Sequence, residues 1–183
     1  MTVGAPGGRP DIMPKHRFNR GSIRLNSYDY SQAGAYFITL CTHNRDCIFG
    51  YIDNGEMRYS AFGEIVVNQW LLTESLRSEI SLDAWVLMPN HFHGIFFIRD
   101  SARAQGDRPV APTLASRSVG SLVAGFKSAC TTQINTQRGS LGAKVWQRNY
   151  WDRVIRNEAE LTALREYIVN NPRKWTLDTL YMA

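Results

Sequence analysis

Apolar and polar positions along this chain follow two distinct periods. Tyr36-Phe37-Ile38-Thr39-Leu40-Cys41-Thr42 is a β-branched and aromatic run, which predicts a strand. Asp53-Asn54-Gly55 then separates two short apolar stretches, Ile48 to Ile52 and Met57 to Tyr59, and predicts a small hairpin. Here the period changes. Phe62, Ile65, Val66, Trp70 and Leu76 recur at helical spacing and predict a helix over 61–77. Residues 82–88 predict a second strand, Pro89-Asn90 breaks it, and His91 opens a third that runs to about Arg99. A two-residue break between apolar strands points to an antiparallel pair, although Pro-Asn is an unusual hairpin turn. Residues 100–116 are polar, carry Pro109 and Pro112, and predict a loop.

Val119, Leu122, Val123, Phe126, Cys130 and Ile134 mark a second amphipathic helix, ending near Gly139. Val145 to Ile155 contains a fourth strand. The final helix is the best delimited. Asn157 suits an N-cap, Glu160 completes a capping-box-like pair, and Leu161, Leu164 and Ile168 form the buried stripe. Pro172 stops it, because the residue before a proline avoids the α region. The order strand, helix, strand, strand, helix, strand, helix is that of an α+β fold with a ferredoxin-like βαββαβ core. Its antiparallel sheet carries helices on one face, and the other face is left for a site, a partner or the last helix. Residues 1–30 show no apolar period and read as a flexible basic arm; 31–183 read as one domain.

Composition narrows the class. With 183 residues, 44% hydrophobic and 11% aromatic, the chain can build a real core. No apolar run is long enough to span a membrane, and the Gly/Pro-rich start is not a secretory signal. Cys41, Cys47 and Cys130 lack a Cys-x-x-Cys spacing and suit free thiols in a reducing cytosol. The net charge of +5 and a pI near 9.3 suit a polyanionic partner. The positive residues gather in two sets: Arg9, Lys15, Arg17, Arg20 and Arg24, then Arg148, Arg153, Arg156, Arg165, Arg173 and Lys174. With five tryptophans alongside, nucleic acid is the favoured partner.

Candidate chemistry centres on His91-Phe92-His93, which holds two of the four histidines. Residues i and i+2 of a strand share a face, so both imidazoles can converge while Phe92 packs opposite. A pair of satisfied core histidines has the same pattern. The last helix offers Tyr167 and Asn171, four residues apart and on one face, the latter where Pro172 ends the helix. Their alternatives are a core-boundary tyrosine and a capping asparagine. Two imidazoles and an amide would suit Mg²⁺ or Mn²⁺, with Zn²⁺ still open.

Met88-Pro89-Asn90-His91-Phe92-His93 resembles the signature of the HUH superfamily of single-strand nucleases. Further pieces resemble the REP-associated tyrosine transposases within it. These are Ser22-Ile23-Arg24-Leu25 with Tyr28-Asp29-Tyr30, Gly34 to Thr39, Trp146 to Arg156, and Glu166-Tyr167-Ile168-Val169-Asn170-Asn171-Pro172. The likeness covers roughly residues 20–175, in order. It implies a metal-dependent single-stranded DNA endonuclease and strand transferase acting beside repeat hairpins. By resemblance, His91, His93 and Asn171 are the ligands of Mg²⁺ or Mn²⁺. Tyr167 is the nucleophile and forms a 5′-phosphotyrosine. The eleven residues after Pro172 leave out any family element lying beyond them.

Arg17, Arg20, Arg24, Arg173 and Lys174 are candidate phosphate contacts. Arg148, Arg153 and Arg156 belong to the second basic set, and Tyr150 and Trp151 are candidates for stacking on bases or, equally, for the core. The implied protein is cytoplasmic and works at the nucleoid, and a monomer acting through its own Tyr167 is favoured over a homodimer. The alternatives are a non-catalytic nucleic-acid-binding module of the same fold and a phosphoesterase that uses activated water.

Overall fold

A computed structural model of the chain describes residues 29–99 and 118–182. The expected arm, except Asp29 and Tyr30, and the loop over 100–116 lie outside the described residues. Tyr30, at the arm's end, is buried in the core and its carbonyl accepts from the Val119 N–H.

The strands are β1 (Gly34–Cys41), β2 (Gly50–Asp53), β3 (Glu56–Tyr59), β4 (Ile80–Met88), β5 (His91–Ile98) and β6 (Trp151–Ile155). The helices are α1 (Ala61–Leu71), α2 (Thr73–Leu76), α3 (Val119–Gln137) and α4 (Glu158–Asn170). One antiparallel sheet has the order β4-β5-β1-β6, and β2 and β3 pair separately. In core-strand numbering this is the ferredoxin-like order, as the periodicity predicts. The β2–β3 turn uses Asn54 (φ 50°) and Gly55 (φ 78°), the paired left-handed conformations that suit Asn-Gly.

Two sheet faces follow from the period of two. Tyr36, Ile38 and Leu40 of β1 and Phe92 and Phe96 of β5 face α1 and α3, meeting Val66, Trp70, Leu122, Phe126 and Cys130. Phe37 and Ile95 face the other way, with Trp151 and Ile155, under Leu161, Leu164 and Ile168 of α4. Burying each of those three α4 side chains contributes about 1.5–3 kcal/mol. Helix α4 therefore takes the face the sheet pattern leaves open. The Arg165 guanidinium adds a polar tie, reaching Asp83 Oδ2 at 2.6 Å, where β4 bulges between Leu82 and Trp85.

Three local expectations change. Asn171, just before Pro172, keeps α-helical dihedrals (φ −58°, ψ −46°), and the chain passes into a 3₁₀ helix over Pro172–Leu177. The single helix over 61–77 is interrupted at Leu72, where the Thr73 hydroxyl bonds back to the Gln69 carbonyl at 3.2 Å. At α4, Asn157 Oδ1 caps the Glu160 N–H, but the Glu160 carboxylate accepts from Arg156, one residue before the N-cap. The capping pair is thus open on one side.

Candidate metal and nucleophile site

The two-residue turn between β4 and β5 is held from outside. Pro89 offers its carbonyl to the Phe49 N–H, and the Asn90 carbonyl accepts from the Thr42 N–H at 2.9 Å. The Asn90 side chain is fully buried; its Nδ2 donates to the carbonyls of Arg45 (3.1 Å) and Leu180 (2.8 Å). These bonds explain why Pro-Asn serves where a glycine-rich turn is usual.

They also set the first imidazole. With Nδ2 spent on two carbonyls, Asn90 presents Oδ1 to His91 Nδ1, 2.8 Å away. An amide oxygen only accepts, so Nδ1 carries the proton and Nε2 keeps its lone pair. His93 Nδ1 lies 2.8 Å from Thr39 Oγ1, its cross-strand partner on β1. When Nδ1 donates to that hydroxyl, Nε2 is again the basic nitrogen. Both histidines are fully buried, with ring centroids 4.6 Å apart. Such outer partners fix the orientation of metal-binding imidazoles.

Helix α4 brings in the other half. Tyr167 Oη lies 3.2 Å from His93 Nε2, and its ring packs edge-on to His93 and Phe37. Phe37 stacks on His93 at 5.3 Å and Trp175 flanks His91 at 5.8 Å, so aromatic walls enclose the imidazoles. Asn171, the C-cap of α4, is buried; its Oδ1 makes no hydrogen bond among the described residues. A buried amide oxygen left in this way is costly unless something occupies it. Beside two basic imidazole nitrogens it suits a divalent cation, so the residues present fit the metal that the motif implies.

One contributor escaped the sequence reading. Asp178 follows the 3₁₀ helix Pro172–Leu177, and its carboxylate, His91 and His93 offer ligand atoms all within 4.8 Å of one another. Asp178 Oδ2 also lies 3.4 Å from both Tyr167 Oη and Asn171 Nδ2. No period marks a residue in an irregular turn. Its only signal is an acid a few residues beyond a helix stop. Thr39 was legible in principle, since it shares a face with Phe37.

The basic and aromatic candidates disperse. Arg17, Arg20 and Arg24 lie outside the described residues. Trp151 is 7% exposed and packs against Phe37; Tyr150 packs on the α1/α3 side, away from His91. Trp151 lies in the core, while Tyr150 is half-buried at the core's edge, where both of its alternatives stand. Arg153 pairs with Glu160, while Arg156, Arg173 and Lys174 are exposed. Arg148 is exposed and borders a groove of about 430 Å³ with Lys127 and Lys144.

Comparison with known proteins gives a relative in Haemophilus influenzae, described only as an uncharacterized protein. It is 37% identical over 171 residues, spanning 90% of this chain and 94% of that one. The chain belongs to the family of that protein. No family model matches it. Among solved structures it is similar to a REP-associated tyrosine transposase bound to a REP hairpin. The TM-score is 0.51 and the identity 18%, over 83% of this chain and 74% of the other. That likeness is one of fold, and it agrees with the resemblance read from the motifs. Among the described residues no helix is long and apolar enough to cross a membrane.

Proposed function

We propose that this protein is a metal-dependent single-stranded DNA endonuclease and strand transferase, a transposase that uses Tyr167 as its nucleophile. The observation that carries the reading is the Tyr167 hydroxyl 3.2 Å from His93 Nε2, beside the His91, His93 and Asp178 cluster. The hydroxyl thus meets the imidazole nitrogen that a cation would also use. The fold shared with a hairpin-bound transposase supports the same class of substrate, single-stranded DNA carrying repeat hairpins.

His91 Nε2, His93 Nε2 and Asn171 Oδ1 are the groups that would hold Mg²⁺ or Mn²⁺, which when bound neutralises charge on the scissile phosphate. The protein's own residues do the rest. Phe37 and the α4 stripe fix the Tyr167 ring, so its oxygen is presented without conformational search. That oxygen forms a bond to phosphorus and the bond from phosphorus to the 3′ oxygen breaks. The phenol loses its proton and the departing 3′ oxygen gains one. The product is a 5′-phosphotyrosine and a free 3′-hydroxyl, whose reversal rejoins a strand without ATP. Exposed Arg156, Arg173 and Lys174, together with Arg17, Arg20 and Arg24 of the arm, are the proposed phosphate contacts. The work is done on chromosomal DNA in the cytoplasm, by a single chain using its own Tyr167.

The test is a covalent one. Labelled single-stranded hairpin DNA is incubated with Mg²⁺ or Mn²⁺ and either wild type or Tyr167→Phe, then denatured and run on a gel. Wild type is expected to give a shifted protein–DNA band that maps to Tyr167, and the variant none. Cleavage without any adduct would favour the water-using phosphoesterase. Binding without cleavage would favour the non-catalytic module.

A further inference from the structure

The two halves of the site come from distant parts of the chain, and one side chain connects them. We infer that Asp178 is a positioning residue: its carboxylate sets which end of the Asn171 amide meets the cation, and it ties the nucleophile helix to the histidine strand. The inference rests on the metal site proposed above.

The connection is a continuous run of hydrogen bonds. His91 Nδ1 donates to Asn90 Oδ1 at 2.8 Å, and Asn90 Nδ2 donates to the Leu180 carbonyl at 2.8 Å. The Leu180 N–H donates to Asp178 Oδ1 at 2.7 Å. Asp178 Oδ2 then accepts from Asn171 Nδ2 and lies beside the Tyr167 hydroxyl, each at 3.4 Å. Leu180 is buried, which pins this short turn to the body of the protein. A carboxylate offers only acceptors, so Asn171 must turn its NH₂ toward Asp178. Its Oδ1 therefore faces away, buried and without a hydrogen bond among the described residues. An amide oxygen ligates a hard cation and an amide NH₂ does not. The orientation that Asp178 imposes is the one that a cation needs.

The pairing of Asp178 with Asn171 predicts an exchange. In Asp178→Asn one oxygen is lost. With the Leu180 N–H still bonded to the oxygen that remains, the new NH₂ faces Asn171 and favours the flipped amide. Converting Asn171 to Asp in the same protein should repair this, because a carboxylate has an oxygen at both ends. Mn²⁺ affinity is measured by electron paramagnetic resonance on the full chain without DNA. The melting temperature without metal is recorded for each variant as a check on folding. Asp178→Asn and Asp178→Ala are expected to weaken Mn²⁺ binding by about ten-fold or more, the usual effect of losing an outer partner. Asp178→Asn combined with Asn171→Asp is expected to recover wild-type affinity within about three-fold, by the same reasoning. Unchanged affinity in Asp178→Asn, with wild type binding Mn²⁺, would overturn the inference. A loss that the exchange fails to restore would make Asp178 itself a ligand and overturn the positioning role. Wild type that binds no Mn²⁺ would instead sink the metal reading, and this inference with it.

Discussion

On one face of the sheet, Phe92 and Phe96 of β5 meet Trp70 and Phe126; on the other, His91 and His93 meet Phe37, Trp175 and Tyr167. Both sets are buried except for the half-buried Tyr167, and both are largely aromatic. The difference is in what each buried atom requires. On the Phe92 face ring contact dominates, and the buried Trp70 and Trp146 N–H groups make no hydrogen bond among the described residues. On the His93 face polar atoms are held by named partners, Thr39, Asn90 and Asp178, while the Asn171 oxygen is left over. One face therefore converts burial into stability. The other uses the apolar half under Leu161, Leu164 and Ile168 as the rigid base for a polar half.

Substitutions on the two faces should separate accordingly. His91→Ala should lower cleavage by at least about a thousand-fold, since it removes a ligand outright, while the melting curve moves little. Full cleavage in excess chelator would erase the distinction. Phe92→Ala should do the reverse, costing about 3–5 kcal/mol in urea unfolding while the folded fraction keeps its metal affinity. A smaller loss is expected from Gly94→Ala. The new methyl would come within 2.7 Å of Phe92 and 2.9 Å of Trp70, so overpacking should cost about 1–3 kcal/mol on the apolar face only. Loss of Mn²⁺ binding in that variant, at full stability, would show that the faces are coupled.

The smallest effect concerns Lys127 on α3, whose ammonium donates to the Gln147 carbonyl. Burial pushes its pKa from 10.5 down to about 8. Between those values the unfolded chain binds the proton that the folded chain has released. Stability should therefore rise with pH through that window. Urea midpoints on either side of it would register the change, and Lys127→Met should flatten it.

Strict periods made most of this legible. The i, i+2 histidines and the i, i+4 pair of Tyr167 and Asn171 needed only strand and helix geometry to reach a common face. The hairpin needed only Asn54-Gly55. What was not legible depends on contacts between segments. Leu72 looks no different from its helical neighbours, yet the helix breaks there. The alternation that places Val154 and Tyr150 on one side and Trp151 on the other is clear only once β6 is in register with β1. Asp178 belongs to no period at all, and its role comes from the fold that returns the chain's end to the histidine strand.

The two structural asparagines described above have opposite chemical futures. Asn90 is buried, and its amide nitrogen is committed to two carbonyls. Asn54 is exposed at the tip of the β2–β3 turn and precedes Gly55, the only Asn-Gly pair in the chain. Glycine has no Cβ to shield its nitrogen, so the ring closure that expels ammonia from asparagine meets least hindrance there. In a stored or ageing sample, deamidation should collect at this tip, far in sequence from the histidine strand. An extra backbone methylene from isoaspartate would loosen the hairpin at the place where Gly55 lies against Arg173. The molecule thus carries its chemical clock at an exposed turn, while the committed amide of Asn90 is kept from the same chemistry.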